Sequence, residues 1–442
     1  MVSRQILPVA VLFMTASGFI SPARAQVPAR AQVPARAQSP ARAQSPARDT
    51  LRLAEVVAET RHANPGLRAA RYRADAAAER VTRAGALPDP MLSLGLRNRP
   101  VDGFGTDPMM TMNWIGLSQR FPWPGIQGFG EERERRLARA AELDADEVET
   151  FLIARVKTVY YRIAYLDRAV MIMTDTRELL RDFLEVTTAR YAVGQGPQQD
   201  ILQAQVAIAR MTADITVVTQ DRIAMAARLN SLLGRPATEP VGALELPDPQ
   251  GAIAAVDSLM QLAARNRPAI QAARERALAA ESGYRAAQRD AHPDFNVMVG
   301  YGQRPQFVDM VTLEVGISVP LWAGKKQGPR KLEMLALQSM EQAKELDLYN
   351  QTYALLSELR AASERSRVLS ELYRTSIIPQ AQAAVESALS AYRVGEVDYM
   401  TLLANQMTVN RFKTERVRLS AEYQDSVAGI QALTDSTTRI QP

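Results

Sequence analysis

The sequence contains no cysteine among its 442 residues. This absence excludes a disulfide framework, a thiolate metal site and a cysteine nucleophile. Histidine occurs only at His62 and His292, in different halves of the chain, so no zinc-like spacing of histidine and cysteine exists. No Gly-x-Ser-x-Gly elbow, His-Glu-x-x-His run or phosphate-cradling glycine loop occurs either. We therefore expect a protein that is not an enzyme and that has neither a cofactor nor a metal centre.

Aromatic residues make up only 6% of the chain, a content that suits long packed helices better than a thick globular core. Beyond the amino-terminal leader, no uninterrupted apolar run is long enough to cross a bilayer, which needs about 18 residues or more. This argues against a transmembrane helix. A membrane β-barrel leaves a far weaker signal in a sequence, so that architecture stays open.

The formal net charge of +5 is misleading. Residues 1–48 hold six arginines and no lysine or acidic residue, which leaves 47 basic against 48 acidic side chains in the remainder of the chain. Because the basic excess belongs to the amino terminus, the high isoelectric point gives no support to nucleic-acid binding. We expect no nucleic-acid partner.

Residues 1–25 are typical of a secretory signal peptide, with an arginine, a long apolar run and a small-x-small cleavage site at Ala23-Arg24-Ala25. Residues 26–48 repeat a hexamer that carries a proline in each unit and lacks apolar periodicity, which predicts a disordered tail. The repeat recreates Ala-Arg-Ala, so several cleavage positions are compatible with the pattern. No cysteine follows them, which excludes lipidation of the mature amino terminus.

The stretch 131–193 contains no proline and no glycine, the residues that most reliably stop a helix. Apolar residues recur along it in alternating steps of four and three, at Leu152, Val156, Val159, Ile163, Leu166, Val170 and Met173. This is the 3.5-residue seam of a helix that packs in a coiled coil. At about 1.5 Å per residue, the helix would be roughly 95 Å long. Because no ordinary globular domain needs such a rod, we expect it to span a distance.

The pattern of the first half of the chain returns in the second half. Pro88-Asp89 recurs as Pro293-Asp294, and the helix end at 191–194 (Tyr-Ala-Val-Gly) recurs at 392–395 (Tyr-Arg-Val-Gly). This indicates a tandem duplication of one unit. The predicted boundaries are a first repeat at 49–236 (β-hairpin 90–120, long helix 131–193, return helix 198–233), a linker at 237–252, a second repeat at 253–436 (β-hairpin 294–320, long helix 329–394, return helix 397–434) and a tail at 437–442.

The predicted strands have one apolar and one polar face. In the second hairpin, Phe295, Val297, Val299 and Tyr301 alternate with polar or small residues. Each strand has about 9–11 residues, the length that crosses a bilayer at a tilt. The alternative, a soluble hairpin, would need a core that four isolated strands could hardly build. Since four strands cannot close a barrel and lipid does not tolerate an open edge, we expect several protomers to share one barrel.

Together the signal peptide, the duplication, the short hairpins with their Pro-Asp starts and the paired Tyr-x-x-Gly helix ends resemble the TolC-like outer-membrane efflux family. The resemblance covers nearly everything after Asp49. Within the family, Leu87-Pro88-Asp89-Pro90 and the motif 121–125 (Phe-Pro-Trp-Pro-Gly) resemble the heavy-metal (cation) efflux branch most.

The resemblance implies a mainly α fold with a small membrane β portion. The tandem helical hairpins would form a periplasmic α-barrel, and four strands per protomer would contribute to a shared 12-stranded barrel in outer-membrane lipid. It further implies a homotrimer that docks to a periplasmic adaptor (membrane fusion protein) and to an inner-membrane pump of the resistance-nodulation-division type. The chain would then be a passive exit duct for small solutes, including heavy-metal cations.

In this family the Tyr-x-x-Gly turns lie at the periplasmic tips, where hydrogen bonds and acidic residues keep the pore closed. The resemblance therefore makes these residues tip or gate candidates: Tyr191, Gly194, Asp200, Tyr392, Gly395, Glu396 and Asp398. The sequence also departs from the family pattern. Val397 stands where a gate arginine is expected, and Thr401 and Ala404 replace two carboxylates of a cation-binding ring. An alternative is that these are ordinary solvated tip residues.

Two further interpretations concern metal and function. Four methionines, Met91, Met109, Met110 and Met112, could bind copper or silver through soft thioethers, but methionine at such positions is more often packing filler. The main functional alternative is a periplasmic adaptor or coiled-coil scaffold without a barrel. An adaptor would have one helical hairpin and a β-rich flank, whereas this chain has two tandem copies with hairpins of bilayer length.

Overall fold

The computed structural model describes residues 51–99, 110–305 and 307–434. Four sequence predictions concern residues outside these ranges: the signal peptide (1–25), the disordered tail (26–48), Met109 and the C-terminal tail (437–442). Within the described residues the chain is mainly α-helical with four strands, as predicted. In chain order the elements are α1 (Leu53–Ala63), α2 (Pro65–Gly85), β1 (Met91–Arg97), β2 (Met112–Phe121), α3 (Ile126–Ala192), α4 (Gln198–Leu232), α5 (Val256–Asn266), α6 (Pro268–Arg289), β3 (Phe295–Gln303), β4 (Met310–Ile317), α7 (Gln327–Leu372), a π-helical turn (Tyr373–Ile377), α8 (Ile378–Val394) and α9 (Tyr399–Thr434).

The first long helix, α3, starts at Ile126 rather than at residue 131. Gly125 precedes it with a φ of 95°, a left-handed conformation that glycine adopts without strain. The predicted start was late because Gly128 and Gly130 weaken a helix by local propensity. In the structure α2 packs along α3, and this tertiary contact outweighs that cost.

The second long helix, predicted at 329–394, is divided in the structure. α7 ends at Leu372, a π-helical turn follows, and α8 continues the rod to Val394. Pro379 lies in the first turn of α8. Its ring offers no amide hydrogen and collides with the carbonyl four residues before it, so the backbone widens into a π-helical turn at this place.

The two hairpins belong to different repeats and join into one antiparallel sheet in the order β1-β2-β3-β4. The central pairing sets Ile115 opposite Tyr301 and Phe121 opposite Phe295. One face carries exposed apolar side chains: Leu92, Leu94, Leu96, Ile115, Leu117, Val299, Tyr301, Val311, Leu313, Val315 and Ile317. The opposite face carries glycine and polar residues together with Met112 and Trp114. The sheet therefore has one face suited to lipid and one suited to a lumen.

Asp294, in the Pro-Asp pair that the sequence analysis singled out, connects the base of the sheet. Its Oδ2 accepts a hydrogen bond from Arg120 Nη2 at 2.5 Å, and its Oδ1 accepts one from the backbone amide of Trp123 at 3.0 Å. Its own amide donates to Ser318 Oγ at 3.0 Å. These bonds tie the end of β2 in the first repeat to both ends of the second hairpin.

The helices form a layer with α3 at its centre. α2 and α4 have their main contacts with α3, which also packs along α6 and α9, and α7 packs in turn on α6 and α9. One edge of the layer is therefore made by α2 and α4, and the other by α7 and α8.

A belt formed by α1, the linker 237–252 and α5 covers one face of this layer. Tyr160 of α3 anchors it: its hydroxyl donates to the carbonyl of Leu51 at 3.0 Å and accepts from the amide of Glu245 at 3.2 Å. Tyr423 of α9 donates to the carbonyl of Gln250 at 2.7 Å. Because both anchors bind the same linker, the belt lies on a single side of the layer.

Among the described helices, α4 alone is long and apolar enough to cross a membrane, judged by length and composition. Its place in the fold is the helical layer, because Arg222 Nε donates to Asp167 Oδ1 of α3 at 2.5 Å and Arg222 Nη2 donates to the carbonyl of Val241 at 3.0 Å. Its apolar edge is largely exposed, at Leu202, Val206, Val217 and Ile223.

We expect Gly300→Ala to disturb the sheet, because a Cβ at this position would overlap the indole of the buried Trp114. Overpacking of this kind costs about 1–3 kcal/mol. The change should lower the thermal stability and shift the tryptophan fluorescence of the purified protein. Gly95→Ala is the matched control, since a Cβ there meets nothing within 4 Å. Equal effects of the two substitutions would contradict the packing of Trp114 on Gly300.

Candidate gate at the paired helix ends

The ends of α3 and α8 have the same construction. Gly194 follows α3 with a φ of 73°, and Gly395 follows α8 with a φ of 86°. After each glycine the next amide donates back into the helix, from Gln195 to the carbonyl of Arg190 and from Glu396 to that of Ala391, both at 2.9 Å. Such left-handed glycine endings satisfy the last helical carbonyls. The duplicated Tyr-x-x-Gly motif therefore produces two equivalent turns.

An apolar cluster holds the two turns side by side. Its buried members come from four helices: Leu180 and Phe183 of α3, Ala204 and Met211 of α4, Ala388 and Tyr392 of α8, and Tyr399 and Leu402 of α9. Burial of these apolar side chains brings residues of the first repeat into contact with residues that lie about two hundred positions later in the chain. The polar contacts of the tip are built on this cluster.

Asp200 and Tyr392 connect the two repeats directly. Tyr392 is 2% exposed, and its hydroxyl donates to Asp200 Oδ2 at 2.8 Å. Burial, together with this hydrogen bond, raises the pKa of Tyr392 above its usual range. The hydroxyl therefore stays protonated and keeps donating at every physiological pH. The structure thus brings together two of the residues that the sequence proposed for the gate.

Arg190 is a member of this site that sequence reasoning missed. Its guanidinium lies 4.5 Å from the ring centroid of Tyr392, one nitrogen donates to the Tyr392 carbonyl, and Nη2 donates to the carbonyl of Gln195 at 2.8 Å. It therefore satisfies carbonyls at both helix ends at once. A signal was present, since Arg190 precedes the first Tyr-x-x-Gly motif, whereas Ala391 precedes the second. The expected gate position, Val397, instead packs against the apolar cluster.

Tyr399 lies beneath this pair. Its ring centroid is 5.9 Å from that of Tyr392, and its side chain is fully buried. Burial, followed by the nearby charge of Asp200, raises the pKa of Tyr399 to about 12. Its hydroxyl has no hydrogen-bond partner within the part of the chain that the structure describes. We call Arg190, Asp200, Tyr392 and Tyr399 the tip network.

The other predicted tip residues lie outside this network. Asp398 caps α9, because its Oδ1 accepts a hydrogen bond from the amide of Thr401 at 2.8 Å. Hydrogen bonds from Thr401 hold the pKa of Asp398 below its usual range. Tyr191 is 47% exposed, and Glu396 is exposed as well. These two side chains face solvent in the single chain.

The structure separates Met91 from Met112, two of the four methionines that suggested a soft-metal site. Met91 pairs with Ser118 at one end of the first hairpin, whereas Met112 pairs with Arg97 at the other end. At about 3.4 Å per residue, this register places them roughly 20 Å apart. Met112 packs against Gly302 as buried filler, and Met110 is half exposed. Among the described residues, no group of three or more histidine or carboxylate side chains could hold a metal ion.

We expect Arg190→Gln to loosen both helix ends, because it removes the cation–π contact and the charged donations to the two carbonyls. These contacts together contribute about 1–3 kcal/mol. Amide hydrogen exchange, measured by mass spectrometry, should become at least about tenfold faster in residues 193–196 and 394–398. Arg393→Gln is the control, since Arg393 is exposed and has no ion pair within the described ranges. Unchanged exchange in the Arg190 variant would contradict the bridging role.

Comparison with known proteins places this geometry in context. The sequence model of the family "Outer membrane efflux protein" matches residues 56–235, which span the first repeat. No curated protein sequence matches the chain.

Solved structures extend the likeness to both repeats. The Vibrio cholerae outer membrane protein VceC is 18% identical, with a TM-score of 0.74 over 86% of this chain and 96% of VceC. CusC is 15% identical, with a TM-score of 0.73 over 87% and 92% of the two chains. The Neisseria gonorrhoeae MtrE outer membrane channel is 14% identical, with a TM-score of 0.72 over 88% and 90%. At these identities the structural likeness establishes the fold.

The family match therefore covers the first repeat, and the common fold covers the described chain from the sheet to the paired helix ends. Both favour a channel over a periplasmic adaptor without a barrel. The first repeat is thus similar to the outer membrane efflux proteins, and the chain shares the fold of solved outer-membrane channels.

Proposed function

We propose that three copies of this chain assemble into one closed duct. The observation that carries this proposal is the sheet with two open edges: among the described residues, β1 and β4 each pair on one side only. In lipid an unpaired strand edge leaves amides and carbonyls without partners, so β4 of one copy must pair with β1 of the next. Three copies of four strands give the 12 strands of the expected barrel.

The helical layer offers a second pair of complementary edges. The α4 edge exposes Leu202, Val206, Val217 and Ile223, and the end of α7, at the level of Ile223, exposes Val368 and Leu372. Exposed apolar surface of this extent is typical of an interaction site. Packing the α4 edge of one copy on the α7 edge of the next buries both and continues the layer into a helical cylinder. The belt then lies on the outside of the cylinder, where it leaves the duct free.

The assembled duct would cross the outer membrane with its barrel and extend into the periplasm with its helices. The predicted amino-terminal signal peptide supports export, and the lack of cysteine supports a mature amino terminus without lipid. The paired helix ends would face a periplasmic adaptor and an inner-membrane pump of the resistance-nodulation-division type. The duct would conduct small solutes passively and catalyse no reaction.

Heavy-metal cations are the solute class that the motifs at 87–90 and 121–125 favour by resemblance. A passive duct needs no tight metal site, because selectivity arises from pore radius and lining charge.

The tip network would keep the duct closed. The bond between Tyr392 and Asp200 ties the α8–α9 turn to the start of α4, and Arg190 ties the same turn to the end of α3. Outward movement of one helix pair would have to break both connections. The bond to the charged Asp200 alone contributes about 1.5–3 kcal/mol, so its loss should raise the open population markedly.

We expect a small single-channel conductance for the purified mature protein in a planar bilayer, and a several-fold larger one for Asp200→Ala and for Tyr392→Phe. Glu396→Ala is the matched control, because it removes an exposed carboxylate at the same tip without removing a network bond. Equal, non-zero conductance of all four proteins would support the duct and contradict the gate role of Asp200 and Tyr392. A parent protein that forms no channel would overturn the duct itself.

We expect native mass spectrometry in mild detergent to show three chains for the parent protein. Val217→Arg should weaken this trimer, since it places a charge on the exposed apolar edge of α4 that the seam would bury. Leu262→Arg is the control, because Leu262 is also exposed but lies on the belt. A trimer of unchanged stability in the Val217 variant would contradict the seam between α4 and α7.

A further inference from the structure

A groove of about 750 Å³ lies between α4 and α9, with α3 as its floor. Its apolar lining includes Phe151 of α3, Met225 of α4 and Leu359 of α7. Gly429 keeps one end open, because a Cβ there would approach Leu359 Cδ1 to 3.0 Å. The volume is within the range of small-molecule sites, about 300–1,000 Å³.

Positive charge dominates the polar lining of this groove. It contains four arginines and two carboxylates. Arg418 is ion-paired with Glu422, and Asp425 accepts a hydrogen bond from Thr158. The remaining arginines, Arg155, Arg162 and Arg228, form no ion pair with any residue that the structure describes. An excess of guanidinium groups in a concave, partly apolar site attracts anions.

The groove lies on the opposite side of α3 from the belt. Its α3 residues follow each other in steps of four, three and four: Phe151, Arg155, Thr158 and Arg162. At about 100° per residue, the middle of this stripe lies about 180–200° around the helix from Tyr160, which anchors the belt. If the belt is on the outside of the cylinder, the groove opens into the duct.

We propose that this groove is a binding station in the duct wall for anionic amphipathic solutes, with three copies around the lumen. The guanidinium groups of Arg155, Arg162 and Arg228 bind the anionic group, since their planar donors match carboxylates, sulfonates and phosphates. Phe151, Met225 and Leu359 receive the apolar body. The arginines of the three grooves would repel free cations, so a metal ion would pass the part of the duct that holds the grooves only as an anionic complex. The inference rests on the proposed duct for its access from the lumen.

The first test is equilibrium dialysis with naphthalene-1-sulfonate, using the full-length protein in non-ionic detergent. Its uncharged analogue, naphthalene-1-sulfonamide, is the matched probe. Combined Arg155→Gln, Arg162→Gln and Arg228→Gln should weaken sulfonate binding at least about tenfold and leave the sulfonamide unchanged. Arg265→Gln is the control variant, because Arg265 is an exposed arginine of the belt. Circular dichroism and native mass spectrometry verify that each variant is folded and assembled.

The second test is the reversal potential of the channel in a potassium chloride gradient. The parent should prefer chloride, and the triple variant should shift several-fold toward potassium. Sulfonate binding that is absent in the parent, or equal in the parent and the triple variant, overturns the groove, even if a channel conducts. Binding that is lost in the triple variant of a protein without channel activity sustains the groove and overturns the duct.

Discussion

A strand in lipid has no water to satisfy its amides and carbonyls, so every edge of a membrane sheet must be paired. Within the part of the chain that the structure describes, the four-stranded sheet leaves β1 and β4 unpaired on one side each. The exposed apolar edges of α4 and α7 lie on the two edges of the helical layer and present the same problem in a weaker form. The proposed packing of identical copies side by side would pair the strand edges and bury the apolar helix edges at the same time.

The duplication gives the two repeats the same order of elements, but their helices and helix ends differ in structure. α3 contacts helices of both repeats and runs without a break, whereas its counterpart is divided by a π-helical turn before Pro379. At the helix ends, the two turns have the same glycine geometry but different partners. Tyr392 is buried and bonded to Asp200, while Tyr191 faces solvent. Arg190 likewise has an alanine as its counterpart. The network between the repeats depends on these differences.

Charge is distributed with a similar asymmetry across the helical layer. On the belt side, tyrosine hydroxyls anchor the linker through backbone groups. On the other side, arginines without acidic partners among the described residues line a groove whose walls are partly apolar. Arginines without acidic partners repel each other in a concave groove, so their clustering is unfavourable unless an anionic solute binds there. The lining is therefore expected to shape which solutes pass.

The sequence by itself determined the fold class, the duplication and the place of the helix ends, because these depend on local signals. Proline and glycine stop helices, a 3.5-residue seam marks a packed rod, and alternation marks a two-faced strand. It also named Asp200 and Tyr392, through the resemblance. Only the tertiary structure decided that β2 pairs with β3 and that Met91 lies far from Met112. The roles of Arg190 and of the arginine groove could not be predicted from the sequence either. Both arise from contacts between residues distant in the chain, and such contacts depend on how the helices pack rather than on any local pattern.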